Sequence, residues 1–255
     1  IVYLGDNVLR KNLIDYTKKF QTSNSDAMIL LCKVDDPQRF GIAELDKDNF
    51  QKIKKIVEKP KNPPSDLAVI GIYFLTPKIF GVIDRLKPSW RGEFEITEAL
   101  QILMDDGDKI EYDTVTGWWK DTGTPEDIIH ANKLVLDSIG TENQFLIDND
   151  AKIKNNVVVG AGTVIDGSSV ITGPVIIGKN CIIGPGVHLG PYVSVGDNCN
   201  LKQCLIQDSI VMTDCIINAK VDFQSSIMAH GSEIMASDIP NKHQFLLGER
   251  SQIKL

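Results

Sequence analysis

Hydrophobic positions change their spacing once along this chain. From Ile1 to about Gly140, short apolar runs alternate with amphipathic segments, the pattern of α/β units. Met28 to Val34, Val69 to Leu75 and Ile110 to Val115 read as strands. Between Glu95 and Met104, apolar groups at Ile96, Ala99, Leu100, Leu103 and Met104 predict a helix packed on the sheet, with Gly107 as its stop. Beyond Gly140 the helical spacing disappears. Ile147, Ile153, Val159, Ile165, Ile171, Ile177, Ile183, Leu189, Val195 and Leu201 place an aliphatic group at every sixth position. Two residues before each of them, from Ala151 onward, stands a small or β-branched group: Ala151, Val157, Thr163, Ser169, Val175, Cys181, Val187, Val193 and Cys199.

Hexapeptides of this kind are the signature of a parallel β-helix, in which the repeated aliphatic group points inward and stacks on its equivalent one coil later. The sequence therefore divides into an α/β part, residues 1–140, and a repeat part, residues 141–255. Three hexads per coil would stack Cys181 on Cys199 as small core residues. The phase slips after Leu201, where Leu205, Val211, Ile217 and Phe223 resume the spacing from a new origin, so a loop or bulge is expected near Gln203. Gln244 to Leu255 is expected to cap the open end of the solenoid.

Composition narrows the class. The 255 residues are 42% hydrophobic and 24% charged, as in a soluble protein with a sizeable core, and no apolar run reaches the roughly 18 residues a membrane helix needs. A net charge of −7 speaks against a nucleic-acid partner, since phosphate backbones are bound by an excess of Lys and Arg. An anionic substrate would need its own cationic pocket or a metal. Five cysteines, with no C-x-x-C pair, point to reduced thiols and a cytoplasmic setting. No signal peptide is visible at Ile1 to Arg10.

Ligands of open α/β sheets bind at the carboxyl ends of strands, which draws attention to Asp6 and Asp121. Two carboxylates at neighbouring strand ends can share one Mg²⁺, a hard cation that completes its shell with water and substrate phosphates. Either aspartate alone would also suit a turn or a cap. After Asp121, Thr124 as N-cap, Pro125 at the first helical position and Asp127 three residues past the cap predict a helix start. Glu58 could accept hydrogen bonds from sugar hydroxyls while Lys59 meets a phosphate, the alternative being a solvated charge pair before a proline turn. Arg91, just ahead of the helix at Glu95, suits an anion.

Together the stretches Tyr3-Leu-Gly-Asp-Asn7, Phe40-Gly-Ile-Ala-Glu44, Val57-Glu-Lys-Pro60, Ala68-Val-Ile-Gly-Ile-Tyr73, Arg91-Gly-Glu-Phe-Glu-Ile-Thr97 and Trp119-Lys-Asp-Thr-Gly-Thr124 resemble the long form of the glucose-1-phosphate thymidylyltransferases. These are sugar-phosphate nucleotidyltransferases with a Rossmann-like mixed sheet and a C-terminal left-handed β-helix. The resemblance implies that Asp6 and Asp121 hold the catalytic Mg²⁺, that Gly41, Glu58, Lys59 and Val69 line the sugar-phosphate pocket, and that Arg91 approaches the phosphate. Lys59 and Arg91 would be the catalytic side chains. The implied reaction joins dTTP and glucose 1-phosphate to give dTDP-glucose and pyrophosphate, in a homo-oligomer assembled through the β-helix. Members of that family begin well upstream with a glycine-rich loop that cradles the triphosphate. No such loop occurs here, so the chain resembles a truncated nucleotidyltransferase domain and is expected to be inactive alone. Rival expectations are a hexapeptide-repeat acyltransferase using His188 or His230 as base, or a bifunctional UDP-N-acetylglucosamine pyrophosphorylase/acetyltransferase.

Overall fold

The structure, a computed structural model, describes residues 1–49, 52–139 and 152–236. The expected inward positions Ile147 and Ala151, the boundary residue Gly140 and the capping segment Gln244–Leu255 lie outside the described residues. The chain divides into two compact units, Ile1–Asp127 and Ile128–Leu255.

The first unit contains, in chain order, β1 (Val2–Tyr3), β2 (Asn7–Leu9), α1 (Ile14–Thr22), β3 (Ala27–Lys33), β4 (Gly41–Leu45), β5 (Ile53–Glu58), β6 (Leu67–Leu75), α2 (Lys78–Ile83), α3 (Ile96–Asp105), β7 (Ile110–Thr114) and β8 (Trp119–Asp121). The helix α4 (Pro125–Asp137) begins there and continues into the second unit. The main sheet runs β5-β4-β6-β3-β7, with β1 also on β6. It is mixed: β3 and β7 are parallel, and the other pairs are antiparallel.

Both faces of this sheet are covered, which explains why β3 and β6 read as unbroken apolar runs. Ala27, Ile29 and Leu31 of β3, with Val69 and Tyr73 of β6, pack on one face against Ile79, Ala99, Leu100 and Leu103 of α2 and α3. Met28 and Leu30 of β3, with Ile70, Ile72 and Phe74 of β6, pack on the other face with Tyr16 of α1. Each fully buried large side chain contributes about 1.5–3 kcal/mol relative to exposure. The helix expected from the stripe at Ile96 is α3, and Gly107 beyond its end takes φ +87°, as a stop residue should. β2 and β8 form a separate two-stranded antiparallel ribbon in which Asn7 faces Asp121 and Leu9 faces Trp119.

The second unit holds a parallel β-solenoid of about five turns. Val157 pairs with Val175 and Val175 with Val193, an 18-residue coil of three hexads. Ile165, Ile171, Ile177, Ile183, Leu189, Val195 and Leu201 all point into one buried core, with Ile153 at its edge. The small positions do more than fill space. The Thr163 hydroxyl donates to Gly178 O at 2.6 Å and the Ser169 hydroxyl to Gly184 O at 3.0 Å. The thiols of Cys181, Cys199 and Cys215 donate to the carbonyls of Gly196, Met212 and Ala229, each at 3.1 Å. A carbonyl at the turn of the next coil thus finds a side-chain donor.

The expected phase slip is present, with one correction. The register shifts between Lys202 and Cys204, and Gln203 adopts φ +54°. The residue that stacks under Leu189 is Ile206, whereas Leu205 pairs with His188 on the outer face. The strand turns over at the bulge, so the inward set becomes Cys204 and Ile206, and Val211, Ile217 and Phe223 then join the core as expected.

Candidate functional site

Two groups of predicted residues form in the first unit. The first is the aspartate pair. The ribbon runs one residue past Asn7, because Thr122 N–H and Thr122 Oγ1–H both donate to Asp6 O, at 2.7 and 2.8 Å. Asp6 and Asp121 are thereby drawn together where β2 and β8 meet. Partial burial, then the charges of Asp6 and Asp127, push the Asp121 carboxyl above its ordinary range. Arg39 and Lys120 pull it the other way.

Lys120 and Asp127 have a structural task. The Asp127 carboxylate accepts from Lys120 Nζ at 2.5 Å and from Thr124 Oγ1 at 2.7 Å, and Asp127 N–H donates back to Thr124 Oγ1 at 3.2 Å. This reciprocal cap starts α4 as the sequence predicts. It also fixes the turn that carries Asp121.

The donor set suits Mg²⁺. Two carboxylates repel each other until a divalent cation lies between them, and Mg²⁺ typically takes one or two carboxylates, leaving other positions to water and phosphate oxygens. Among the described residues no cluster of three or more His, Cys, Asp or Glu side chains offers a closed protein cage. An open shell is what a phosphate substrate would need.

The second group surrounds Glu58. Gly41 faces Glu58 across β4 and β5, and a Cβ on Gly41 would lie 2.5 Å from Thr97 Cγ2 and 3.1 Å from Glu58 Oε2. Glycine is required there by this close approach. Thr97 Oγ1 donates to Glu58 Oε2 at 2.9 Å. Arg91 lies 3.6 Å from Glu58 Oε1, 3.3 Å from Glu95 Oε1 and 2.8 Å from Glu93 Oε2. Its guanidinium is therefore held by three carboxylates, and a phosphate would have to displace part of that set. Lys59, at φ +39°, is anchored through its N–H to Phe40 O at 3.0 Å. Glu58 and Lys59, with Ser89, Trp90 and Thr97, line an open cleft of about 620 Å³ beside α3. Val69 is only 7% exposed and packs in the core beneath the sheet.

Tyr73 is buried in the core of the sheet. Burial first, then the charges of Glu58 and Asp6, raise its phenol above the ordinary range. Sequence reasoning did not single out Thr97 beside Glu58 or Asn7 beside Asp6, although both stand inside the stretches that carried the resemblance. Asn7 is 8% exposed and bonds to Asp6, Gly71 and Trp119. An asparagine after a strand looks like a turn residue until its partners are known.

The two histidines proposed for acyl transfer lie on the solenoid. His188 is exposed on the outer face, and His230 Nδ1 lies 2.7 Å from Thr213 Oγ1 and 3.4 Å from Asp214 Oδ2.

Comparison with known proteins adds the family. A family model described as nucleotidyl transferase matches residues 1–138, and one described as GMPPB C-terminal domain matches residues 171–254. The low-salt glycan biosynthesis nucleotidyltransferase Agl11 of Haloferax volcanii is 43% identical over 257 aligned positions, covering 100% of this chain and 71% of that protein. A glucose-1-phosphate thymidylyltransferase of Streptomyces antibioticus is 36% identical with the same coverage. The UTP–glucose-1-phosphate uridylyltransferase AglF of Haloferax volcanii is 37% identical over 50% of this chain and 52% of its own length.

Proposed function

The chain belongs to the nucleotidyl transferase family, and from that premise we propose that it serves nucleotidyl transfer from dTTP to glucose 1-phosphate, yielding dTDP-glucose and pyrophosphate. The observation that carries the reading is the Asp6–Asp121 pair, set side by side where β2 pairs with β8 and Thr122 bonds to Asp6 O. In the proposed step a phosphate oxygen of the sugar phosphate attacks the α-phosphorus of the triphosphate in line, and the bond to the β-phosphate oxygen breaks to release pyrophosphate. Mg²⁺ would neutralise developing charge on the phosphates, which with positioning supplies most of the rate in such transfers.

This chain's residues divide the remaining work. Asp6 and Asp121 would hold the cation, and Gly41, close against Glu58 and Thr97, would line the sugar-phosphate pocket with them. Glu58 accepts hydrogen bonds from the sugar hydroxyls while Lys59, which has no carboxylate partner among the described residues, meets the phosphate. Arg91 would exchange one of its glutamates for that phosphate. Assembly of subunits through the solenoid, and a cytoplasmic setting supported by five unpaired cysteines, belong to the same proposal. No helix among the described residues is long and apolar enough to cross a membrane.

The choice of base separates this reading from its relatives, one of which is named for UTP. Pyrophosphate release by the full-length natural protein, with glucose 1-phosphate and each of dTTP, UTP, CTP and GTP, tests it. A kcat/KM highest for dTTP is expected. A preference of tenfold or more for UTP would replace thymidylyl by uridylyl transfer.

A further inference from the structure

Asn7 makes three hydrogen bonds through its side-chain amide beside the aspartate pair. Its Oδ1 accepts from Trp119 Nε1–H at 2.7 Å and from Gly71 N–H at 3.2 Å. Both of those groups can only donate, so the amide cannot be flipped without setting donor against donor. With the oxygen so fixed, Nδ2 must point the other way, and there it donates to Asp6 Oδ1 at 2.8 Å. Packing closes the remaining freedom: a Cβ on Gly71 would come within 2.5 Å of Asn7 Nδ2, so the amide fills the space that glycine leaves.

We propose that Asn7 is a positioning residue, which uses the indole of β8 and the backbone of β6 to set the direction in which the Asp6 carboxylate faces Asp121. This deepens the reading that Asp6 and Asp121 hold a divalent cation, and it rests on that reading. One oxygen of Asp6 is tied to Nδ2–H, leaving the other to face the cation. Groups that orient a ligating carboxylate in this way typically contribute 10- to 100-fold to metal affinity. The arrangement also makes Trp119 part of the site, three groups removed from the cation. A change on β8 reaches Asp6 through the amide without touching either aspartate.

The test uses Mn²⁺ alone as the probe, titrated into the full chain and followed by the electron paramagnetic resonance of free and bound ion. Asp6→Asn, Asp121→Asn, Asn7→Ala, Asn7→Asp and Trp119→Phe are compared with the unaltered protein, each with its melting temperature in metal-free buffer. Asp6→Asn and Asp121→Asn are expected to abolish binding. Asn7→Ala is expected to weaken it about tenfold or more and to broaden the bound Mn²⁺ spectrum, because the carboxylate is no longer held in one direction. Trp119→Phe keeps both Asn7 and Asp6, and is expected to give the same broadening with a smaller loss of affinity.

A purely structural Asn7 would lower the melting temperature and leave the affinity and spectrum of the folded protein unchanged, which overturns the inference. If Asn7→Ala does not fold, Asn7→Asp and Trp119→Phe decide the matter by the same two readouts. Unchanged Mn²⁺ binding in Asp6→Asn and Asp121→Asn would instead overturn the metal site itself, and the inference with it.

Discussion

At Thr163 one hydroxyl satisfies two backbone groups, donating to Gly178 O at 2.6 Å and accepting from Cys181 N–H at 2.9 Å. Thr163→Val keeps the shape and removes both bonds, leaving a donor and an acceptor without that partner in a partly buried site. The expected loss is about 2 kcal/mol, against about 0.5 kcal/mol for Thr163→Ser, measured by urea unfolding. A loss in Thr163→Val smaller than that in Thr163→Ser would show that volume, not hydrogen bonding, matters at this position. Cys181, Cys199 and Cys215 below it extend the same ladder, each thiol donating to a carbonyl of the next coil, and burial raises the Cys215 thiol above its ordinary value. The six-residue period announced small residues here, but a period cannot show that a carbonyl of the next coil needs a donor. Gly41 carries the matching lesson in the first unit. Gly41→Ala drives a Cβ into Thr97, a β-branched side chain buried on α3, and is expected to cost about 1–3 kcal/mol. Thermal melting checks this, and an unchanged midpoint would mean that Thr97 can move aside.

Among the elements, those with many turns or strand residues were the legible ones. α3 and the fully buried β3 and β6 announce themselves because their apolar periods span enough residues to be distinctive. The β2–β8 ribbon was not legible, because strands of three residues have no period to read. The exchange of Leu205 for Ile206 has a similar origin: both are aliphatic, and only the backbone at Gln203 decides which turns inward. Where elements meet, charge fixes their ends. Asp26, just before β3, accepts from Lys109 N–H at 3.1 Å and pairs with Lys78 at 3.0 Å, tying β3 to the start of α2. The Lys78 hydrogen bond, then the Lys109 N–H, lowers its carboxyl below the ordinary value of 3.8. A depressed folded value means stability that is present above about pH 3.8 and lost as pH falls through the lower folded value. Asp26→Asn is therefore expected to unfold earlier than the parent at pH 7, with the difference closing in strong acid, as followed by circular dichroism. A gap that is constant with pH would assign the effect to packing.

In the whole molecule the two periods correspond to two cores, a two-faced sheet covered by helices and a stack of coils. The architecture was legible because each core repeats one simple geometric rule over many residues. The chemistry was only half legible. Asp6 and Asp121 stood out as carboxylates at strand ends, whereas the bonds of Asn7 to Asp6 and of Thr97 to Glu58 in the proposed site are visible only in the fold. The claim on which the functional reading stands is that Asp6 and Asp121 act as one unit on a divalent cation. It is tested most directly by pyrophosphate release from dTTP and glucose 1-phosphate with Mg²⁺, comparing full-length natural protein with Asp6→Asn, Asp121→Asn and the double variant. Each single change is expected to reduce kcat/KM by about a hundredfold or more, and the double change to fall little further than the worse single one, since either loss dismantles the same site. Single variants within about threefold of the parent would contradict it.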